Sequence, residues 1–285
     1  MKISIVGVGL LGGSFALGLK SIENGHHFIG VDTNAAHGKL AKQLGIVDEM
    51  MHFTQAVKSS DLVVLATPVN VINRQLIEAL NILPQKAILI DLGSTKSSFN
   101  NIVENHPKRE QYISCHPIAG TENSGPEAAF AGLFKTKQLI ICEKEKSNKA
   151  YLAKIVDIFK KLDMHITYMP SDEHDRHIAY VSHLSHISSF ALGLTVLEKE
   201  KDEKSIFTMA GSGFSSTVRL AKSSPDMWAP ILKQNASNVS CALDAYIKQL
   251  TKFKQIIDDG AEEQSHQMME KANEIRRVLM GIEKG

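Results

Sequence analysis

The first twenty residues constrain the fold more than any other stretch of the chain. Residues 2–6 form a short run rich in Ile and Val, and they lead into a glycine loop at residues 7–12 (Gly-Val-Gly-Leu-Leu-Gly). Helix-forming residues follow, which predicts a strand, a tight turn and a helix. In such a unit the first glycine allows the turn, the second lets a pyrophosphate approach the backbone, and the third lets the helix pack closely on the strand.

A second strand supports a dinucleotide site. Residues 27–31 are mostly apolar and lead directly to Asp32, twenty residues after Gly12, where an acid that binds the ribose hydroxyls is expected. The carboxylate would repel a 2′-phosphate, and no Arg follows it in residues 33–36. The pattern therefore predicts NAD rather than NADP.

Two other interpretations of the opening stretch stay open. Residues 3–19 could form the apolar part of a signal peptide, although only one Lys precedes them and four glycines interrupt them. The loop could also be a glycine turn that binds nothing.

The chain up to about residue 170 alternates between strands and helices. The predicted strands are 3–6, 28–31, 62–66, 87–91, 112–115, 139–142 and 166–168, and predicted helices include 36–44, 71–82 and 149–162. This rhythm predicts an α/β fold with a doubly wound, mostly parallel sheet of the Rossmann type. Ligands of such sheets bind beyond the carboxyl ends of the strands. The predicted cofactor-binding residues are Gly7, Gly9, Leu10, Leu11, Gly12, Asp32, Thr67 and Pro68.

After Pro170 the character of the chain changes. Ser171 is a plausible N-cap, and helical patterns cover residues 173–199, 228–257 and 262–282, broken by a glycine-serine stretch at 211–216. We expect a nucleotide-binding domain at residues 1–170 and an all-helical domain at 171–285. A cleft between them would hold the substrate.

Composition narrows the choice of partners. A net charge of +1 predicts no nucleic-acid or membrane surface. Three widely spaced cysteines favour the reducing cytoplasm and show no metal-binding spacing, so we expect no metal.

Two polar side chains beyond strand ends are candidates for catalysis. His116 begins the run 116–122 (His-Pro-Ile-Ala-Gly-Thr-Glu). It could reach the cofactor's reactive ring and take a proton from a hydroxyl while hydride leaves the same carbon, or it could merely end a strand. Ser94 follows another strand and could orient the nicotinamide or the histidine, or merely cap a helix. Cys115 is adjacent to His116, but neighbouring strand residues point to opposite faces, so Cys115 is predicted to be core.

The helical half offers histidines and an arginine. His183 and His186 share one helical face, which suits substrate contact better than zinc because no third ligand is spaced for it. Arg219 follows the glycine-serine stretch and could bind a carboxylate.

Taken together, these motifs resemble the prephenate/arogenate dehydrogenase family of tyrosine biosynthesis. The matching pieces run in the family's order across nearly the whole chain. They are the glycine loop, residues 91–96 (Asp-Leu-Gly-Ser-Thr-Lys), residues 116–122, residues 182–186 (Ser-His-Leu-Ser-His), and Arg219 nine residues before Trp228.

The resemblance implies oxidative decarboxylation of prephenate, or of its amino counterpart arogenate, with NAD⁺. It implies that His116 accepts the proton of the ring hydroxyl and that Ser94 helps to place His116. A homodimer of interlocked helical domains is expected. The implied substrate-binding residues are Arg219, His186, His183, Glu122, Thr121 and Trp228.

The chain departs from the family pattern in places. Ser215 and Ser216 follow Gly-Phe where Arg-Asp is common, and Ser185 replaces a proline. We expect neither a fused mutase domain nor a regulatory domain after Lys271. Rival interpretations are a β-hydroxyacid-type dehydrogenase that uses Lys222, and a non-catalytic NAD-binding protein.

Overall fold

The computed structural model describes residues 1–203 and 205–283. Within these ranges, eight strands form one sheet, in the order β3-β2-β1-β4-β5-β6-β7-β8, in which only the β6–β7 pair is antiparallel. The strands are β1 Lys2–Val6, β2 His27–Val31, β3 Glu49–Met50, β4 Leu62–Leu65, β5 Ile88–Asp91, β6 Tyr112–Pro117, β7 Gln138–Cys142 and β8 His165–Met169.

Thirteen helices accompany the sheet in the described ranges, besides short 3₁₀ turns and one π-helical turn. They are α1 Leu10–Ile22, α2 Ala35–Gln43, α3 Phe53–Ser59, α4 Val69–Ile82, α5 Ser97–Val103, α6 Lys149–Lys161, α7 Ser171–Ile178, α8 Leu184–Glu200, α9 Ser212–Val218, α10 Pro225–Gln234, α11 Ala236–Asp258, α12 Glu262–Ala272 and α13 Arg276–Glu283. The predicted α/β fold, with a mostly parallel sheet followed by a helical part, is confirmed.

Both faces of the sheet are buried, and strand alternation divides its side chains between two apolar clusters. On β5, Ile88 and Ile90 join the cluster that contains Phe15 of α1, whereas Leu89 joins the cluster that contains Leu76 of α4. Helices therefore cover both faces, which leaves the carboxyl-terminal edge of the parallel strands as the place for polar function.

The glycine loop has the geometry that its sequence predicts. Gly7 adopts a φ of +93°, and a Cβ atom there would lie 2.7 Å from the carbonyl oxygen of Ala66. A Cβ atom on Gly12 would lie 2.1 Å from the carbonyl oxygen of Gly7. Residues 2–22 thus form a central strand and its helix, both part of the core, and not a separate apolar segment.

The last strand ends at Met169, and every described element beyond it is helical. The chain divides into two compact units, Met1–Asn235 and Ala236–Gly285. Helices α7–α10 belong to the first unit with the sheet, because Trp228 and Ile231 of α10 pack in the same cluster as Leu76 of α4. The domain boundary at residue 170 stays a prediction.

Local details differ from the predictions. Ser171 is not an N-cap: its hydroxyl and its backbone N–H both bind the carboxylate of Glu143, and Pro170 is the capping position. The glycine-serine stretch forms α9, in which the hydroxyls of Ser216 and Thr217 bond back to the carbonyl of Gly213. The two-residue strand β3 is too short to leave a sequence signal.

The second compact unit leaves many apolar side chains exposed. They are Ile247, Leu250, Ile257, Met269, Ile275, Val278, Leu279 and Met280. None of the helices in the described ranges is long and apolar enough to cross a membrane.

Candidate active site

The predicted cofactor residues lie together at the carboxyl edge of the sheet. Asp32 follows β2, and its carboxylate accepts hydrogen bonds from the backbone N–H of Val8 at 3.2 Å and of Asn34 at 2.8 Å. Gly9 is the N-cap of α1 and has no side-chain capping bond, and a Cβ atom on it would meet nothing within 4 Å. An open backbone before a helix N-terminus suits a pyrophosphate. These residues therefore fit the dinucleotide that the sequence predicts.

A buried ion pair holds the ends of β5 and β6 beside this edge. The ammonium of Lys96 donates to Asp91 Oδ2 at 2.5 Å and to the carbonyl oxygen of Cys115 at 2.6 Å, and the hydroxyl of Tyr112 donates to Asp91 Oδ1 at 2.6 Å. All three side chains are fully buried. Because each charge is paired and hydrogen-bonded, the cluster fixes the backbone immediately before His116.

His116 is buried on β6, and its ring is hydrogen-bonded to that of another histidine. Its Nδ1 lies 2.8 Å from Nε2 of His174. Its Nε2 bonds to nothing in the described part of the chain and is not among the buried unpartnered atoms, so it remains accessible. Burial, with smaller effects of His174 and Lys96, holds the pKa of His116 well below the ordinary value of 6.5. The imidazole is therefore neutral near pH 7.

His174 is bonded in turn to Asp175. His174 Nδ1 lies 2.8 Å from Asp175 Oδ1, and the carboxylate also accepts from the backbone N–H groups of Lys96 at 2.8 Å and Ser97 at 2.9 Å. Burial lowers the pKa of His174, although Asp175 opposes that shift. For Asp175 burial alone would raise the pKa, but the bonds from His174 and Ser97 outweigh it and the pKa is lowered.

Neither Ser94 nor Cys115 makes a side-chain hydrogen bond to His116. Ser94 is half-buried beyond β5, and its hydroxyl makes no hydrogen bond within residues 1–203 and 205–283. Cys115 is fully buried, and that burial raises the pKa of its thiol well above 9.0. Cys115 therefore lies in the core, as expected, and the orienting role of Ser94 stays a prediction.

The two histidines of the 182–186 motif contact Trp228 of the same chain. A π-helical turn, Ala179–His183, joins α7 to α8. The ring of His186 stacks on Trp228 at 3.6 Å between centroids, and His183 meets the same ring edge-on at 5.7 Å. Burial lowers the pKa of His183 to about 4 and also lowers that of His186. Both imidazoles are therefore neutral near pH 7.

His183 carries a buried donor without a partner. The amide nitrogen of Asn235 donates to the backbone oxygen of Asp175 at 2.7 Å and lies 3.2 Å from His183 Nδ1. Since that nitrogen can only donate, Nδ1 of His183 accepts and its proton lies on Nε2. This Nε2 is buried and bonds to nothing in the described residues, as does Nε1 of Trp228.

Arg219 and Glu122 form an ion pair at the surface. Arg219 Nη1 lies 3.2 Å from Glu122 Oε2, with the two side chains 53% and 32% exposed. The Glu122 backbone N–H and the guanidinium hold the pKa of Glu122 below 4.5. Thr121 is exposed beside them. Arg219 is thus a solvent-facing residue in this state.

Sequence reasoning assigned no role to His174, Asp175, Asp91, Lys96 or Asn235. One signal for His174 was available, because it precedes the apolar Ile178 by one helical turn and so lies on the buried face of α7. A polar side chain on such a face needs a partner. The described residues hold no group of three or more side chains placed to bind a metal ion.

Two family models together match most of the chain. Residues 15–168 match the model described as "Prephenate dehydrogenase, nucleotide-binding domain" and residues 170–271 match "Prephenate dehydrogenase, dimerization domain". The prephenate dehydrogenase of Bacillus subtilis is 29% identical over 286 residues, which covers 99% of this chain and 77% of that protein.

Solved structures give the same result. The prephenate dehydrogenase of Aquifex aeolicus, crystallised with hydroxyphenyl propionate and NAD⁺, is 32% identical with a TM-score of 0.87, covering 99% of this chain and 98% of that one. The arogenate dehydrogenase of Synechocystis is 25% identical with a TM-score of 0.77, covering 98% of this chain and 100% of that one.

Proposed function

The chain belongs to the prephenate dehydrogenase family, and from that membership we propose that it oxidatively decarboxylates prephenate to 4-hydroxyphenylpyruvate. It is an NAD-dependent oxidoreductase, as the resemblance implies. The observation that carries the proposal is His116, a neutral imidazole whose Nε2 is accessible at the sheet edge that bears the glycine loop.

When bound, NAD⁺ would supply the hydride acceptor for this chemistry. We assign its pyrophosphate to the backbone of Gly9 and the N-terminus of α1, supported by the open space at Gly9. Asp32 would accept hydrogen bonds from the ribose hydroxyls. Thr67 and Pro68 lie beyond β4 on the same edge. Discrimination against NADP follows from the charge of Asp32.

His116 serves as the general base in this proposal. Its neutral Nε2 takes the proton of the ring hydroxyl as hydride leaves the carbon that carries it. The O–H bond breaks, a C=O bond forms, and loss of CO₂ then returns an electron pair to the ring. The oxygen recovers its proton from His116 as the ring becomes aromatic, so no proton is released overall. Ser94, three residues beyond the end of β5, is proposed to orient the reacting groups.

The substrate's acidic groups need donors, and the helical elements supply them. The unpartnered Nε2–H of His183 is a buried donor that a carboxylate or carbonyl oxygen can accept from. Arg219 can leave Glu122 for a ring carboxylate, which it would bind in bidentate fashion. Trp228, His186 and Thr121 complete the proposed substrate side.

Arogenate is the second candidate substrate, and the tautomer of His186 favours it. His186 Nδ1 donates to the backbone oxygen of Ser182 at 3.0 Å, because a carbonyl can only accept. Its Nε2 therefore presents a lone pair, to which the ammonium group of arogenate could donate. Prephenate carries a keto oxygen at that position, which cannot.

We also propose that the protein is a homodimer in the cytoplasm. The exposed apolar side chains of α11–α13, together with Leu194 and Leu197 of α8, support a subunit interface. The match of residues 170–271 to a domain described as a dimerization domain supports it as well. Cys115, Cys142 and Cys241 are free thiols, which suits a reducing compartment.

A steady-state assay of NADH formation tests the proposed function. Prephenate and arogenate would each be offered with NAD⁺ and with NADP⁺, and the products analysed for 4-hydroxyphenylpyruvate, tyrosine and CO₂. We expect the highest kcat/KM with prephenate and NAD⁺. A higher kcat/KM with arogenate would select the second candidate, and no turnover with either would contradict the proposal.

A further inference from the structure

Three buried side chains form a continuous hydrogen-bonded row behind the proposed base. His116 Nδ1 lies 2.8 Å from His174 Nε2, and His174 Nδ1 lies 2.8 Å from Asp175 Oδ1. The three residues are 8%, 2% and 3% exposed. We call them the His-His-Asp row. General-base catalysis by His116 alone requires neither His174 nor Asp175.

The direction of every bond in the row follows from its far end. The backbone N–H groups of Lys96 and Ser97 can only donate, so both oxygens of Asp175 accept from them. The same contacts favour the ionised carboxylate, which has no proton to give. His174 Nδ1 must therefore donate to Asp175 Oδ1.

The hydrogen bond from His174 to Asp175 determines which ring donates in the bond between His174 and His116. A neutral imidazole carries one N–H, and His174 uses it on Asp175, so its Nε2 presents a lone pair. His116 Nδ1 must donate to that lone pair at 2.8 Å. The proton of neutral His116 then lies on Nδ1, and its accessible Nε2 carries the lone pair that a base needs.

Burial is the largest cause that lowers the pKa of both rings and keeps them neutral, which the argument requires. The charge of Lys96 lowers both pKa values further, whereas Asp91, which lies 2.5 Å from Lys96, raises that of His174. His183, also neutral, is the remaining titratable group facing His116, and Asp175 opposes the shift on His174.

We propose that His174 and Asp175 are positioning residues that hold His116 in the tautomer with Nδ1 protonated and Nε2 free. The proposal rests on the proposed function, in which His116 Nε2 takes the hydroxyl proton. When it does so, the new positive charge is shared along the row toward the Asp175 carboxylate, and it disappears when the proton returns to the product oxygen.

Nitrogen-15 NMR of the labelled histidines tests the tautomer directly. The His116 signals are identified by their loss in His116→Asn, and we expect a protonated Nδ1 and an unprotonated Nε2 in the wild-type protein near pH 7. In His174→Leu the acceptor is gone, and we expect the Nε2-protonated form to appear. A wild-type His116 protonated on Nε2 would overturn the proposal, whether or not the enzyme turns over prephenate.

Kinetics of matched variants provide the second readout. His174→Leu should lower kcat by about tenfold or more with KM for prephenate changed by less than about twofold, because binding groups are untouched. His174→Gln should recover part of kcat, since its amide oxygen can accept from His116 Nδ1. Asp175→Asn should also lower kcat, because an amide N–H facing His174 would reverse the row.

The control lies one turn along the same helix. His177 is exposed, and its one ion pair within residues 1–203 and 205–283 is with Glu173 at 3.9 Å, so His177→Leu should keep the wild-type kcat and spectrum. Circular dichroism would verify that each variant folds. A folded His174→Leu variant with wild-type kcat would overturn the proposal, and so would equal losses in the Leu and Gln variants.

Discussion

At the scale of single residues, the surroundings of His116 determine the pH at which the enzyme works. A free imidazole titrates near about 6.5, and the sequence alone would place the acid limb of activity there. Burial lowers the pKa of His116 well below that value. The base is therefore already deprotonated at pH values where an exposed histidine would still be charged.

The first prediction follows from the sign of that shift. Because the active form is the neutral one and its pKa is depressed, kcat/KM should hold its plateau through the ordinary imidazole pKa of about 6.5 and fall only at lower pH. A pH profile of kcat/KM for prephenate, with a pH-stable buffer series, measures it. An acid limb centred at or above pH 6.5 and absent in His116→Asn would show that His116 is not shielded as described.

Asp32 carries the second prediction at this scale. Asp32→Ser removes the charge that would face a 2′-phosphate, so the ratio of kcat/KM for NAD⁺ over NADP⁺ should fall by about tenfold or more. Asp157→Ser, which removes an exposed carboxylate from α6, is the control and should leave the ratio unchanged. A wild-type enzyme that uses both cofactors equally would contradict the role of Asp32.

At the scale of elements, the sheet could be predicted and its supporting contacts could not. Short apolar runs separated by helical patterns predict seven of the strands, because all of these runs except the one in β8 are buried. The His-His-Asp row escapes prediction since it joins residues 58 positions apart, His116 and His174. Such a contact depends on how α7 packs against β6, and a local pattern carries no information about it.

The helices after residue 170 also contain a feature that a local sequence pattern does not predict. The periodicity of residues 173–199 predicts one helix, but the structure inserts a π-helical turn at Ala179–His183. In the structure His183 lies beside Asn235, whereas His186 stacks on Trp228. The pattern of apolar residues places both histidines on one face without distinguishing these surroundings.

The glycine loop gives a prediction that separates binding from folding. Gly9→Ala adds a methyl group that meets nothing within 4 Å, so the unfolding free energy should be nearly unchanged while NAD⁺ affinity falls. Gly12→Ala places the same group 2.1 Å from the Gly7 carbonyl oxygen and should cost roughly 2 kcal/mol or more of stability. Denaturant unfolding and calorimetric NAD⁺ titration measure both. Equal loss of stability in the two variants would contradict this assignment.

At the scale of the whole molecule, exposed apolar side chains predict assembly. Large side chains on α11–α13 face solvent in the single chain, which is unusual for a protein that acts alone. Light scattering should report about twice the chain mass of 31.3 kDa. This expectation does not depend on the substrate.

A matched pair of double variants locates the interface. Ile247→Glu with Leu250→Glu adds two charges to exposed apolar positions of α11 and should shift the protein toward monomer. Ala245→Glu with Gln249→Glu adds the same charge at other exposed positions of α11 and should leave the dimer largely intact. A monomeric wild-type protein at micromolar concentration, or equal effects of both pairs, would contradict the proposed interface.

The central claim is that His116 takes the hydroxyl proton during oxidation of prephenate by NAD⁺. A single-turnover measurement of NADH formation, with enzyme in excess over prephenate, compares the wild type with His116→Asn. The asparagine keeps a polar group but cannot accept the proton, so the rate should fall by about a hundredfold or more while NAD⁺ affinity stays near the wild-type value. A His116→Asn enzyme that forms NADH at the wild-type rate would contradict the account.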